Sequence, residues 1–134
     1  MKQVKVGVIG LGQRGLGLTW TMLACNEADI VAVCDSKKER AVAANEKVKE
    51  LRGHEVAIYE DYHDLLKDEN VDVVVICSCW DEHIRMAVES MKAGKITAME
   101  VGGAPVCFPD FTRGKWMYRK RLDVMEFPEV KKEN

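Results

Sequence analysis

The chain has 134 residues, 47% hydrophobic and 31% charged, with a formal net charge of −2. That length suits one domain with a sizeable core and is too short for two ordinary ones, and the composition is that of a soluble globular protein. The near-neutral balance argues against nucleic acid or an anionic membrane as partner; no apolar stretch approaches the roughly 20 residues of a membrane span, and the start enters a strand without a signal-peptide pattern, so a cytoplasmic setting is expected.

An apolar strand over 4–9 runs directly into Gly10-Leu11-Gly12-Gln13-Arg14-Gly15. In such a G-x-G-x-x-G turn the first glycine permits the tight turn, the second lets backbone approach a pyrophosphate, and the third lets the next helix pack closely on its strand. The helix that opens there presents free N–H groups and the positive end of its dipole to the phosphates. Three glycines at this spacing are common by chance, so the context carries the reading. A helical pattern (Leu16, Trp20, Leu23) follows, then a second apolar run, Ile30 to Cys34, which ends in Asp35, 20 residues past Gly15. An acid at that distance is where the adenosine ribose is hydrogen-bonded.

Beyond Asp35 helical and strand periodicities alternate. Ser36 is the expected cap of a helix with Ala41, Ala44, Val48 and Leu51 on its apolar face, ended by Arg52-Gly53. A short strand over 56–59 precedes a brief helix capped by Asp61. The run over 71–77 is the strongest strand, apolar enough to be covered on both faces. A helix with Ile84, Ala87, Val88 and Met91 on one face then leads through Ala93-Gly94 to a last strand over 96–100. The order β-α-β-α-β-α-β-α-β specifies an α/β fold with a doubly wound parallel sheet.

In the usual strand order 3-2-1-4-5 the crevice opens between strands one and four. The turn at Gly10 then lies beside Cys77 to Trp80, with Glu100 one strand further on and Asp35 at the adenosine end. The candidate cofactor-binding residues are Gly10, Gly12, Gln13, Arg14 and Gly15 in the turn, Asp35 and Ser36 after strand two, and Cys77, Ser78, Trp80, His83 and Glu100 at the nicotinamide end. His83 and Glu100 are the candidates for catalysis, an assignment the residues leave open. Asp35 favours NAD over NADP, since a carboxylate accepts from a ribose 2′-hydroxyl and repels a 2′-phosphate; Lys37 and Lys38 act against that preference.

On the segments 4–15, 32–40, 59–66 and 71–100 the chain resembles the amino-terminal domain of the glucose–fructose oxidoreductase, inositol dehydrogenase and MocA family. The most specific part is Cys77-Ser78-Cys79-Trp80-Asp81-Glu82-His83, a small-residue turn followed by His, together with the Ala-Gly-Lys…Glu pattern that closes at Glu100. The resemblance covers roughly residues 2 to 103 and implies an NAD(P)-binding domain of a Rossmann type from a sugar or cyclitol oxidoreductase. Relatives carry Glu-Lys-Pro at the end of the fifth strand, the lysine serving substrate and catalysis; here the residues are Glu100-Val101-Gly102. The missing lysine puts ordinary alcohol dehydrogenase chemistry in doubt. The Cys-x-Cys-Trp and Glu-Val segments resemble a glycosidase branch of the family, in which held NAD transiently oxidises the sugar to permit elimination and addition.

Domain organisation is read as a dinucleotide-binding domain over 1–103 and a divergent tail over 104–134. All three Phe and all three Pro lie in that tail, which holds seven Lys and Arg against five Asp and Glu. The family's second domain is expected at this place, and a truncated or frame-shifted product, or a divergent small protein, would give such a join. Asp110 is a candidate helix cap. Arg113, Lys115, Arg119, Lys120 and Arg121, interleaved with Trp116 and Tyr118, are read as a solvated face in preference to a nucleic-acid contact. Self-association, as a symmetric dimer, is expected through Phe108, Phe111, Trp116, Tyr118 and Phe127.

Five cysteines (Cys25, Cys34, Cys77, Cys79, Cys107) without paired spacing read as reduced, mostly buried thiols, and no metal site is expected. His54 and His63 read as surface residues. Three functions stay open: a cofactor-binding oxidoreductase domain, a nucleotide-binding sensor without catalysis, and a fragment without activity.

Overall fold

A computed structural model of the chain describes residues 2–100. The segment from Val101 onward, with its cationic stretch, its aromatic residues, Cys107 and the expected dimer contacts, lies outside the described residues, as does the side chain of Trp80. Among the described residues nine elements alternate: β1 (Val4–Ile9), α1 (Gln13–Leu23), β2 (Ala28–Cys34), α2 (Lys38–Arg52), β3 (Ala57–Tyr59), α3 (Tyr62–Leu66), β4 (Val73–Ile76), α4 (Trp80–Lys92) and β5 (Ile96–Met99). They form one five-stranded sheet in the order β3-β2-β1-β4-β5, with every pairing parallel. The α/β doubly wound reading is therefore the observed architecture.

Apolar residues sort onto the two sheet faces. Val6, Val8, Ile30 and Val33 pack with Leu23 of α1 and Ala41, Ala44 and Val48 of α2, whereas Val74 and Ile76 pack with Tyr62, Leu65 and Leu66 of α3 and Met86 of α4. Both faces of the central strands β1, β2 and β4 are covered, which is why they read as β-branched runs with little alternation, whereas β5 at the edge is largely exposed.

Helix ends follow local chemistry. Asp61 caps α3 as expected, its Oδ1 accepting from the His63 N–H at 2.9 Å. Gly53, at φ 76°, ends α2 in the left-handed conformation, its N–H donating to Lys49 O. Ser36 does not cap α2. The cap position is Lys37, with no side-chain cap bond; its own N–H is held by Asp35 Oδ1 at 2.8 Å, which fixes the chain just ahead of the helix.

Three other expectations are corrected. Leu51 is 54% exposed, because the buried stripe of α2 ends at Val48. On α4 the face turned to the sheet is His83, Met86 and Ser90, with Ala87 beside them; Ile84, Val88 and Met91 are exposed. Small Ala87 and Ser90 let the helix approach closely, and the Ser90 hydroxyl is satisfied within the helix by Met86 O at 2.6 Å. Finally, of the four described cysteines only Cys34 is buried; Cys77 is half-buried, and Cys25 and Cys79 are exposed.

Candidate functional site

The hydrogen-bond ladder continues past the strand ends and places the candidate residues in a row. Asp35 N donates to Tyr59 O, Gly10 N to Cys34 O, Cys77 N to Ile9 O and Glu100 N to Ile76 O. Residues far apart in sequence thus stand on adjacent strands along one edge of the sheet, where a parallel sheet binds ligands at the point of strand reversal.

Gly10 has φ +92°, and a Cβ there would lie 2.6 Å from Ser78 N and 2.8 Å from Cys77 O. Its turn therefore needs both a left-handed backbone and direct contact with the end of β4. At Gly15 a Cβ would lie 1.9 Å from Gly10 O, so α1 rests on the turn itself. Gly12 differs. A Cβ there would meet nothing closer than Arg40 Nη1 at 3.8 Å, so the space above Gly12 is open. It opens at the first turn of α1, whose leading N–H groups have no intrahelical acceptor and whose Gly12 cap contributes no side-chain bond.

Asp35 is buried, yet both its oxygens are held. Leu11 N donates to Oδ2 at 2.9 Å and Lys37 N to Oδ1 at 2.8 Å, so the acid locks the glycine turn to the start of α2. A carboxylate has about four acceptor positions, which leaves capacity for two ribose hydroxyls. Arg40 Nη1 lies 3.7 Å from Oδ2 and borders the opening above Gly12.

At the other end of the row the Ser78 hydroxyl donates to the Met86 sulfur at 3.0 Å, so the backbone of Ser78, not its hydroxyl, meets the turn. His83 is 5% exposed, and its Nε2 lies 2.6 Å from Ser78 O. A carbonyl only accepts, so Nε2 carries the proton, and the ring ties α4 to the turn after β4. Glu100 is paired with Arg14, Nη2 to Oε2 at 3.3 Å. Burial, and then the Glu100 charge, push the Cys77 thiol up to about 11, with Arg14 opposing; burial and Asp35 push Cys34 up to about 12. Both thiols are protonated at neutral pH. Neither is poised as a nucleophile or a metal ligand.

The structure thus brings together Gly10, Gly12, Gly15, Asp35, Cys77, Ser78, Arg14 and Glu100, with His83 behind the turn. Gln13 and Ser36 are exposed at its border. Two contributors escaped the sequence reading. Leu11 N is one, a backbone donor without a sequence signal. Arg40 is the other, legible only from the fact that the first turn of α2 winds back over the strand edge. A helix start with free leading N–H groups, flanked by a held carboxylate on one side and a Glu–Arg pair on the other, is an arrangement that favours an anionic ligand bearing hydroxyls.

Residues 4–101 match the family described as "Oxidoreductase family, NAD-binding Rossmann fold". The chain is 36% identical over 105 residues to a glycosyl hydrolase family 109 protein of Shewanella sp. (strain ANA-3), an alignment covering 75% of this chain and 23% of that protein. It thus spans about a quarter of the length of the curated relatives it matches. Among solved structures, a probable dehydrogenase from Thermotoga maritima superposes with a TM-score of 0.63 at 32% identity, covering 73% of this chain and 28% of the other. The scyllo-inositol dehydrogenase of Lactobacillus casei with bound NAD(H) and scyllo-inositol shares the fold, with a TM-score of 0.66 at 20% identity over 91% of this chain and 34% of its own.

Proposed function

Since the chain belongs to the oxidoreductase family with the NAD-binding Rossmann fold, we propose that residues 2–100 bind NAD(H) at the crevice between β1 and β4, as the cofactor domain of an enzyme acting on a sugar or cyclitol. The observation that carries this reading is the geometry of Asp35 beside Gly12: a buried carboxylate, oriented by two backbone donors, next to a helix start where an added Cβ would meet nothing closer than Arg40 Nη1 at 3.8 Å. Glu100 serves the nicotinamide ribose, and His83 keeps the turn after β4 in place. NAD is preferred over NADP. Asp35 repels a 2′-phosphate, and Arg40, 3.7 Å from that acid, is already committed to it. Calorimetric titration of the full chain with both cofactors tests the assignment. Tighter NADP binding overturns the preference, and binding of neither overturns the reading.

A second reading, the glycosidase branch, is favoured by the glycosyl hydrolase relative and by Val101 standing where the dehydrogenases of the resemblance carry lysine. A valine neither takes nor gives a proton, so hydride transfer by the lysine-dependent route is not expected of this chain. Cofactor binding without sugar-dependent NADH formation is the expected result. NADH formation from a polyol would remove this second reading.

A further inference from the structure

Helix α1 departs from the other three described helices at its first turn. Glu39 on α2, Asp64 on α3 and Asp81 and Glu82 on α4 place negative charge where the helix dipole favours it; α1 has no acid there and carries Arg14 instead. A cation in that position opposes the dipole, so its retention calls for an offsetting group. Glu100 is that group, 3.3 Å away, with its side chain 17% exposed and its backbone held by Ile76 O at the end of β5. The pair runs from the glycine turn past the end of β4 to β5, and the Cys77 thiol at that end feels both charges.

Resting on the reading of the crevice as an NAD site, we propose that Arg14 is a positioning residue, holding the Glu100 carboxylate at the nicotinamide end so that it accepts from the ribose hydroxyls there. Glu100 Oε2 faces the guanidinium. Arg14 acts through Glu100 and not by pairing with the pyrophosphate.

The test is calorimetric titration of the full chain with NAD, ADP and AMP. Arg14→Ala is expected to weaken NAD binding roughly tenfold and to leave ADP and AMP binding unchanged. Glu100→Gln should reproduce that pattern. The double variant should be no weaker than the weaker single one, and Arg14→Lys should recover part of the loss. An unchanged thermal midpoint in each variant separates positioning from a general loss of structure. Weakened ADP binding in Arg14→Ala, with Glu100→Gln unaffected, places Arg14 on the pyrophosphate and overturns the proposal. Unchanged NAD binding in Arg14→Ala overturns it while leaving the reading of the crevice intact. Failure of the unaltered chain to bind NAD overturns both.

Discussion

Gly12 and Gly15 stand three residues apart and are glycines for opposite reasons. At Gly15 a methyl group would fall 1.9 Å from a backbone oxygen of the turn, an overlap that no side-chain rotation relieves. At Gly12 an added Cβ would make only an ordinary contact, with the flexible end of Arg40 at 3.8 Å. Gly15→Ala is therefore expected to destabilise the fold by about 3 kcal/mol or more, since backbone must move. Gly12→Val, at an extended cap position, is expected to lose at most about 1 kcal/mol of stability. Its side chain fills the approach to the helix start, so NAD binding should disappear. Thermal melts followed by circular dichroism, with calorimetry on the same samples, check both. A Gly12→Val variant that still binds NAD normally would remove the glycine turn from the site.

Between elements the clearest tie outside the crevice is His63. Its Nδ1 lies 2.7 Å from Asp61 Oδ1 and its Nε2 2.9 Å from Glu89 Oε2, joining α3 to α4, and the neighbouring Tyr62 hydroxyl donates to the same Glu89 carboxylate. Hydrogen bonding to Asp61 raises the His63 pKa above its ordinary 6.5; the His63 backbone N–H lowers Asp61, and the Tyr62 hydroxyl lowers Glu89, from their ordinary 3.8 and 4.5. A raised histidine stabilises fully below 6.5 and loses its contribution as pH climbs through the folded-state value. The lowered carboxylates stabilise above their ordinary values and lose theirs on acidification. The tie is thus complete between about 4.5 and 6.5. Urea midpoints at about pH 5.5 and about pH 8.5 should fall with rising pH in the natural chain and fall less in His63→Ala. Equal pH dependence in both would show that the tie contributes nothing.

For the whole molecule, a ligand that binds only the folded state raises stability by mass action, about 2.7 kcal/mol at a hundredfold excess over Kd. For a body of this size that corresponds to an increase in Tm on the order of 10 °C. NAD should produce it. An unchanged Tm at saturating NAD would contradict the proposed site. The same body exposes Ile84 and Met91, each at 57%, and Ile96 at 69%, on α4 and β5. Apolar surface of this kind is commonly covered by association. Light scattering is expected to show self-association of the full chain that weakens when Ile84 and Met91 are both replaced by Lys; a mass unaffected by the pair removes this face from the interface.

Local stereochemistry and periodicity made much of this legible from residues alone. The glycine turn, the acid after β2, the alternation of strands and helices and the Asp61 cap depend on backbone sterics and spacing within a few residues of one another, and all are found where the spacing puts them. Parallel crossovers of one hand then limit the strand order to few possibilities, which is why the row from Asp35 to Glu100 was foreseeable. Periodicity sets the interval between apolar positions but not which side of a helix meets the sheet. On α4 that choice fell to His83, Met86 and Ser90, one position away from the apolar series, because the close approach permitted by Ala87 and Ser90 is a property of the packed pair of elements. The grip of Leu11 on Asp35, the place of Arg40 beside Gly12 and the reach of Arg14 to Glu100 join groups 24, 28 and 86 residues apart. Only the folded chain brings such groups within a few ångströms, so only the tertiary structure decided them.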